Sequence, residues 1–141
     1  MRLNDTTDVA MRIMIYATSI GPRLFTIDQV VEVYGLPRST VMKVVNALTK
    51  GQFLIAQRGR AGGLRLARDA DAIRLGDLVR HMETDFDLVE CMRPTNRCTI
   101  SGCCKLISPL AEARSAFLAT LDQYTVRDIA LAPAEFGIAG S

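Results

Sequence analysis

The chain of 141 residues holds a single histidine, His81. Neither a Ser/His/Asp set nor a paired-carboxylate arrangement accompanies it, so catalysis has no support in the sequence. Long apolar runs are also missing. The stretch from Val9 to Ile20 is interrupted by Arg12 and is too short to span a bilayer, so no membrane partner is expected. Met1-Arg2-Leu3-Asn4-Asp5 shows no secretory pattern, and a cytoplasmic location is expected. Cysteines there meet a reducing medium in which stable disulfides are uncommon. No Cys-x-x-Cys pair occurs, so zinc ribbons and thioredoxin-like motifs fit poorly. Internal repeats and low-complexity tracts are absent as well.

What the chain does hold is apolar material and unevenly spread charge. Apolar residues make up 49% of it, enough for a core without disulfide help. The net charge is only +2, but residues 1–80 carry 12 Lys/Arg against 7 Asp/Glu, whereas residues 81–141 carry 5 against 8. A basic first part with a mildly acidic remainder suits a nucleic-acid module joined to something else.

The periodicity is mainly helical. Val9 to Ile20 reads as a helix with Thr6 or Thr7 as N-cap, apolar around almost its whole circumference. Such a helix is either central to a small domain or covered on its outer face by a second subunit. A second helix runs from about Ile27 to Val33 after Thr26. The tight turn Tyr34-Gly35-Leu36-Pro37 follows, and then a third helix from Ser39 to Lys50. Val41, Val44, Val45 and Leu48 make one stripe of that helix, and Ser39, Lys43, Asn46 and Lys50 make the opposite face. Helix, glycine-containing turn, helix is the helix-turn-helix pattern.

Two short strands, Gln52–Gln57 and Leu64–Ala67, flank the tip Arg58-Gly59-Arg60-Ala61-Gly62-Gly63, which reads as the wing of a winged helix. The glycines there serve turn geometry, since no phosphate-loop spacing is present and no helix opens after them. Ile73 to Met82 reads as a fourth helix. A fifth runs from about Leu106 to Tyr124, with Leu106, Leu110, Ala113, Phe117, Leu121 and Tyr124 stepping as in a two-helix seam. The expected fold is therefore mainly α, a winged helix-turn-helix domain (1–83), a cysteine loop (84–105), a dimerisation helix with a short terminal helix (106–130) and a flexible tail (131–141).

Candidate DNA contacts are Arg38 at the third helix's entrance, Ser39, Thr40, Lys43 and Asn46 on its polar face, and Arg58, Arg60 and Arg65 on the wing. A helix fits the major groove, where Asn and Lys read base edges, and wing arginines suit phosphates or a narrow minor groove. All four cysteines lie within fourteen residues, at Cys91, Cys98, Cys103 and Cys104. Nearby Arg93, Arg97 and Lys105 would stabilise thiolates. Spacing alone leaves two readings open: an iron–sulfur cluster, which tolerates a fourth ligand other than cysteine, or a thiol switch between the neighbouring Cys103 and Cys104. His81 is expected to be structural or exposed. Asp8 and Arg12, at i and i+4, are spaced for a weak surface pair.

Several segments together carry a resemblance. They are Thr7-Asp8 with Arg12, Val33-Tyr34-Gly35-Leu36, the wing 58–66, Ile73-Arg74-Leu75-Gly76-Asp77-Leu78-Val79-Arg80, Leu88-Val89-Glu90-Cys91, the stretch 98–106, and Leu121-Asp122-Gln123-Tyr124-Thr125-Val126-Arg127-Asp128. On these residues the chain resembles the Rrf-two family of bacterial winged-helix regulators over about residues 1–130, and more narrowly its nitric-oxide-sensing branch. The resemblance implies a homodimer crossed by its long helices, each cysteine loop facing the partner's first helix.

It further implies an iron–sulfur cluster held by Cys91, Cys98 and Cys104, with Asp8 of the other subunit as fourth ligand. The family's five-residue gap selects Cys104 over Cys103, whereas the six-residue gap between Cys91 and Cys98 is slightly longer than usual. The iron–sulfur-assembly branch places a histidine three residues after the last cysteine. Here that position is Ile107, so the resemblance favours a 4Fe-4S cluster with oxygen ligation. The implied function is a dimeric repressor of palindromic double-stranded DNA, released when nitric oxide attacks the cluster. The alternatives are an iron- or redox-responsive regulator of the same family, or a metal-free regulator switching through Cys103 and Cys104.

Overall fold

The computed structural model describes residues 1–138. Helix α1 (Asp5–Ser19) begins earlier than its apolar pattern suggests. Asn4 is the cap: its side-chain oxygen accepts the Thr7 N–H at 2.7 Å and satisfies one of the donors every helix start leaves over. Asp5, Thr6, Thr7 and Asp8 thereby join the first turn. Val9, Ala10, Ile13, Met14, Tyr16 and Ala17 are all buried, so α1 is central to the domain.

Helix α2 (Ile27–Tyr34) opens on a capping box in which Thr26 and Gln29 bond each other's backbone N–H, at 3.2 and 2.9 Å. It ends at Gly35, whose φ of 64° lies in the left-handed region and turns the chain towards helix α3 (Arg38–Lys50). The expected stripe of Val41, Val44, Val45 and Leu48 is buried. Strands β1 (Leu54–Gln57) and β2 (Gly63–Leu66) pair antiparallel with Leu54 opposite Leu66 and Gln57 opposite Gly63. Phe25 extends this ribbon, exchanging backbone bonds of 3.0 and 2.7 Å with Leu64. The wing is thus rooted in the segment that enters the helix-turn-helix.

Helix α4 spans Leu75–Met82, two residues shorter than expected. Ile73 and Arg74 are extended because they pair with the chain beyond the fifth helix. The Ile73 carbonyl accepts the Val126 N–H at 2.9 Å, and Arg74 bridges Thr125. Helix α5 (Ile107–Leu121) likewise stops short of Tyr124, whose carbonyl accepts the Leu75 N–H at 2.9 Å. No residue of α5 is fully buried within the chain. Within the segment expected as a flexible tail, Pro133–Phe136 forms a 3-10 turn. Phe136 packs edge-on against Tyr16 and Tyr34, with ring centroids 5.4 and 6.2 Å apart. The last three residues of that tail lie outside the described ones.

The architecture is a mainly helical winged helix-turn-helix with a two-stranded wing and a long helix after the cysteine loop. One tie across it is chemical as well as steric. The Tyr34 hydroxyl donates to the Arg12 carbonyl at 2.6 Å, and burial pushes its pKa from 10.0 up to about 12. Its folded pKa is raised, so this contribution is present below pH 10 and fades as pH rises towards about 12. Leu48→Ala should lower unfolding free energy by about 2–5 kcal/mol through lost burial and a cavity. Lys50→Ala on the exposed face should change it by less than about 0.5 kcal/mol. Urea denaturation of the two variants measures both.

Candidate functional site

Packing the apolar stripe of α3 inward dictates what its other face presents. Arg38, Ser39, Met42, Lys43, Asn46 and Lys50 are exposed, while Thr40 is half-buried at the edge of the same face. On the wing Arg58, Arg60 and Arg65 are all exposed. Their pairing differs from that of six arginines elsewhere, although Arg68, Arg74, Arg97 and Lys105 likewise have no ion-pair partner among the described residues. Arg2, Arg12, Arg80, Arg93, Arg114 and Arg127 each stand against a carboxylate. Among the described residues, Lys43, Lys50, Arg58, Arg60 and Arg65 have no ion-pair partner. Within this set Arg38 is the exception, its Nε donating to Asp28 Oδ1 at 2.9 Å. Unneutralised cations on a helix and a neighbouring ribbon make a surface suited to a polyanion.

One pairing on this surface escapes the sequence reading, and one residue read on the polar face is not among the DNA contacts expected there. Lys50 sits on the predicted polar face and extends the cationic row by one turn. Asp28, on α2, orients Arg38 across the turn, a pairing that a separation of ten positions conceals.

The cysteine loop follows α4. All four thiols are free; Cys103 is exposed, and Cys91, Cys98 and Cys104 are half-buried. The iron–sulfur cluster expected on Cys91, Cys98, Cys104 and Asp8 is overturned. Among the described residues, no three His, Cys, Asp or Glu side chains gather into a group that could hold a metal ion. Local bonding explains why the loop keeps its thiols apart. Glu90–Met92 forms a 3-10 turn, and Glu90 Oε1 accepts the Arg97 N–H at 3.2 Å. Asn96 Oδ1 accepts the Cys98 N–H at 2.8 Å, and the Ser101 hydroxyl donates to the Cys98 carbonyl at 3.0 Å. Cys103 Sγ donates to the Ile100 carbonyl at 3.5 Å, while Cys104 Sγ accepts the Leu106 N–H at 3.4 Å. Cys91 and Cys98 are thereby held in turns of their own, whereas Cys103 and Cys104 share one, both backbone N–H groups donating to the Ile100 carbonyl at 3.0 and 2.8 Å. Asp8 pairs with Arg12 at 2.8 Å across one turn of α1, as their spacing predicts. His81 is exposed and bonds the Ala47 carbonyl.

A family model described as Rrf2, Iron-dependent Transcriptional regulator, matches residues 3–132. The chain belongs to the Rrf2 family. This is the Rrf-two family to which the sequence motifs pointed. Among curated relatives, the HTH-type transcriptional regulator NsrR of Bacillus subtilis is 40% identical over 131 residues, covering 92% of this chain and 90% of the relative. Solved structures share the fold at lower identity. The regulator IscR of T. potens superposes with a TM-score of 0.72 at 20% identity, covering 92% of this chain and 85% of that one. CymR, the global cysteine regulator of B. subtilis, gives 0.70 at 23%, covering 92% and 96%. These relatives are regulators rather than enzymes. At 20 and 23% identity these solved structures show the shared fold, and the family model fixes the family and not a branch of it.

The uneven exposure of the thiols gives a direct expectation for this Rrf2-family chain. With a disulfide reagent under native conditions, Cys103 should react in a fast phase and the three half-buried thiols more slowly. Cys103→Ser should remove the fast phase alone, as followed by absorbance of the released thiolate. A single uniform rate for all four cysteines would contradict the assigned exposures.

Proposed function

We propose that this protein is a dimeric, DNA-binding transcription regulator whose DNA affinity follows the oxidation state of its cysteine loop. Family membership and the 40% identity to NsrR support the regulatory class. The observation that carries the DNA-binding half is the row of cations without ion-pair partners on α3 and the wing. Lys43 and Asn46 read base edges in the major groove, with Ser39 and Thr40 at the helix's entrance, while Arg38, Arg58, Arg60 and Arg65 hold phosphates or the adjacent minor groove. Helix α5 supports the dimer. It buries none of its residues within the chain, and Leu106 and Tyr124 are 56% and 48% exposed, a seam awaiting a second helix. A two-fold dimer presents two recognition helices to half-sites of a palindrome about 34 Å, one helical turn, apart.

For the signal, the exposed Cys103 and its neighbour Cys104 form a thiol pair beside the start of α5. In this reading an oxidant such as peroxide takes two electrons from the pair. The two thiols lose their protons, a sulfur–sulfur bond forms, and the peroxide is reduced to two waters. Closing that bond pulls Cys104 Sγ from the Leu106 N–H and disturbs the entrance of α5. Nitric oxide, the signal implied by the motif resemblance, acts in this reading on the same thiols: an acceptor such as dioxygen takes one electron, the thiol gives up its proton, and a sulfur–nitrogen bond forms.

A duplex enriched by the reduced full-length protein from a random-sequence library provides the DNA probe. Lys43→Ala should weaken binding about ten-fold and reduce the salt slope by about one. Unchanged affinity and slope would remove Lys43 from the interface, and failure to enrich any duplex would defeat the DNA-binding reading. Diamide should lower wild-type affinity about ten-fold, with recovery in dithiothreitol, and Cys103→Ser should be insensitive. Wild-type affinity indifferent to both diamide and a nitric-oxide donor would defeat the thiol-switch reading.

A further inference from the structure

The last turn of α4 and its cap run Arg80-His81-Met82-Glu83. A helix advances about 100° per residue, so four consecutive side chains leave in four directions. Here each direction ends in a different part of the molecule. Arg80 reaches α5, where its Nη1 and Nη2 donate to Asp122 Oδ1 and Oδ2 at 2.6 and 2.8 Å. His81 reaches α3, its Nε2–H donating to the Ala47 carbonyl at 2.7 Å. Met82 is buried in the core. Glu83 reaches the start of α1, accepting the Asn4 N–H at 3.0 Å, Asn4 Nδ2 at 3.1 Å and the Thr7 hydroxyl at 2.8 Å.

We propose that this four-residue junction sets the position of the recognition helix, with Arg80 and His81 acting as positioning residues for DNA binding. The inference rests on the DNA-binding reading of α3 and not on the thiol switch.

Two glycines mark the close approaches the junction needs. At Gly51, which caps α3, a Cβ would stand 2.5 Å from His81 Nε2 and 2.7 Å from Cε1. At Gly76 a Cβ would overlap Asp122 Oδ1 and stand 2.8 Å from Arg80 Nη1. The imidazole can reach the end of α3, and the carboxylate the side of α4, because both positions lack a side chain. Arg74 adds a second hold on the same residue, its Nη1 donating to the Asp122 carbonyl at 2.5 Å. The Arg80 hydrogen bonds lower the Asp122 pKa, so the clasp is charged at neutral pH.

The ring of His81 also packs on Phe53, with centroids 5.3 Å apart. Arg68 also lies over the Phe53 ring, 5.3 Å from its centroid. His81 therefore meets both the last turn of α3 and the residue leading into the wing. The far end of α5 carries the cysteine loop, about 22 Å away along a rigid 15-residue helix. Movement of α5 is delivered through Asp122 and Arg80 to α4, and through the adjacent His81 to α3. These contacts form a contiguous network of ion pair, helix and hydrogen bond.

Hydrogen exchange and DNA binding together test the junction in the full-length protein. Asp122→Asn and Arg80→Gln should each accelerate amide exchange over residues 48–52, at the end of α3, by about ten-fold. Affinity for the library-selected duplex should fall about ten-fold with an unchanged salt slope, because no phosphate contact is removed. His81→Ala should reproduce both effects with the Arg80–Asp122 clasp intact. Arg127→Gln is the control; it removes more exposed pairings, to Asp69 and Asp71, outside the junction. A merely structural role predicts that this control matches Asp122→Asn. That equality, or wild-type exchange over 48–52 in both Asp122→Asn and His81→Ala, would overturn the proposal. Accelerated exchange with no selectable duplex would instead leave the coupling standing and sink the DNA-binding reading.

Discussion

The constraint on which the rest depends is the burial of α1. Its apolar residues occupy nearly the full circumference, so no single neighbour can cover them. The helix-turn-helix, the wing root and α4 must all pack around it, and even Phe136 near the end of the chain contributes an edge-on contact to Tyr16. Because α3 is one of those covering elements, the stripe of Val41, Val44, Val45 and Leu48 is committed inward. The polar face has no choice but to point away. The candidate DNA surface is thus a by-product of core formation, and needs no separate force to display it.

That chain of consequence explains why so much was legible in the sequence. Period-3.6 stripes, Thr26 before the second helix, and the glycine-rich hairpin tip are local signals, and local signals specified the helices and the wing. Boundaries failed where a distant residue intervened. Asn4 starts α1 before the apolar pattern does, held from the other side by Glu83. Ile73 and Arg74 read as helical yet are extended, since Thr125 and Val126 supply backbone partners some fifty residues away.

The cysteine loop was misread for a related reason. Spacing counts residues between thiols but not the turns that orient them. Bonds such as Cys98 N–H to Asn96 and Cys104 Sγ to the Leu106 N–H join neighbours, so local turns and not the spacing orient the thiols. The motif resemblance supplied a ligand set, and the loop's geometry within one chain does not assemble it. The pairing of Asp8 with Arg12 was legible, because i and i+4 on a helix is a spacing that fixes proximity.

The junction at the end of α4 shows what sequence periodicity discards. The hydrophobic pattern of Leu75, Leu78, Val79 and Met82 places one face inward and treats Arg80, His81 and Glu83 as solvated residues. Each of these three instead bonds a different helix. Individually such exposed contacts stabilise little, since water competes for both partners. Their importance is geometric: they leave from successive residues of one rigid turn, so none can shift without dragging the others. A helix end that is energetically modest can therefore be decisive in where its neighbours stand. In a protein that meets a helical lattice of phosphates, displacement of the recognition helix by an ångström or two matters more than a small change in stability, because the groove tolerates few registers.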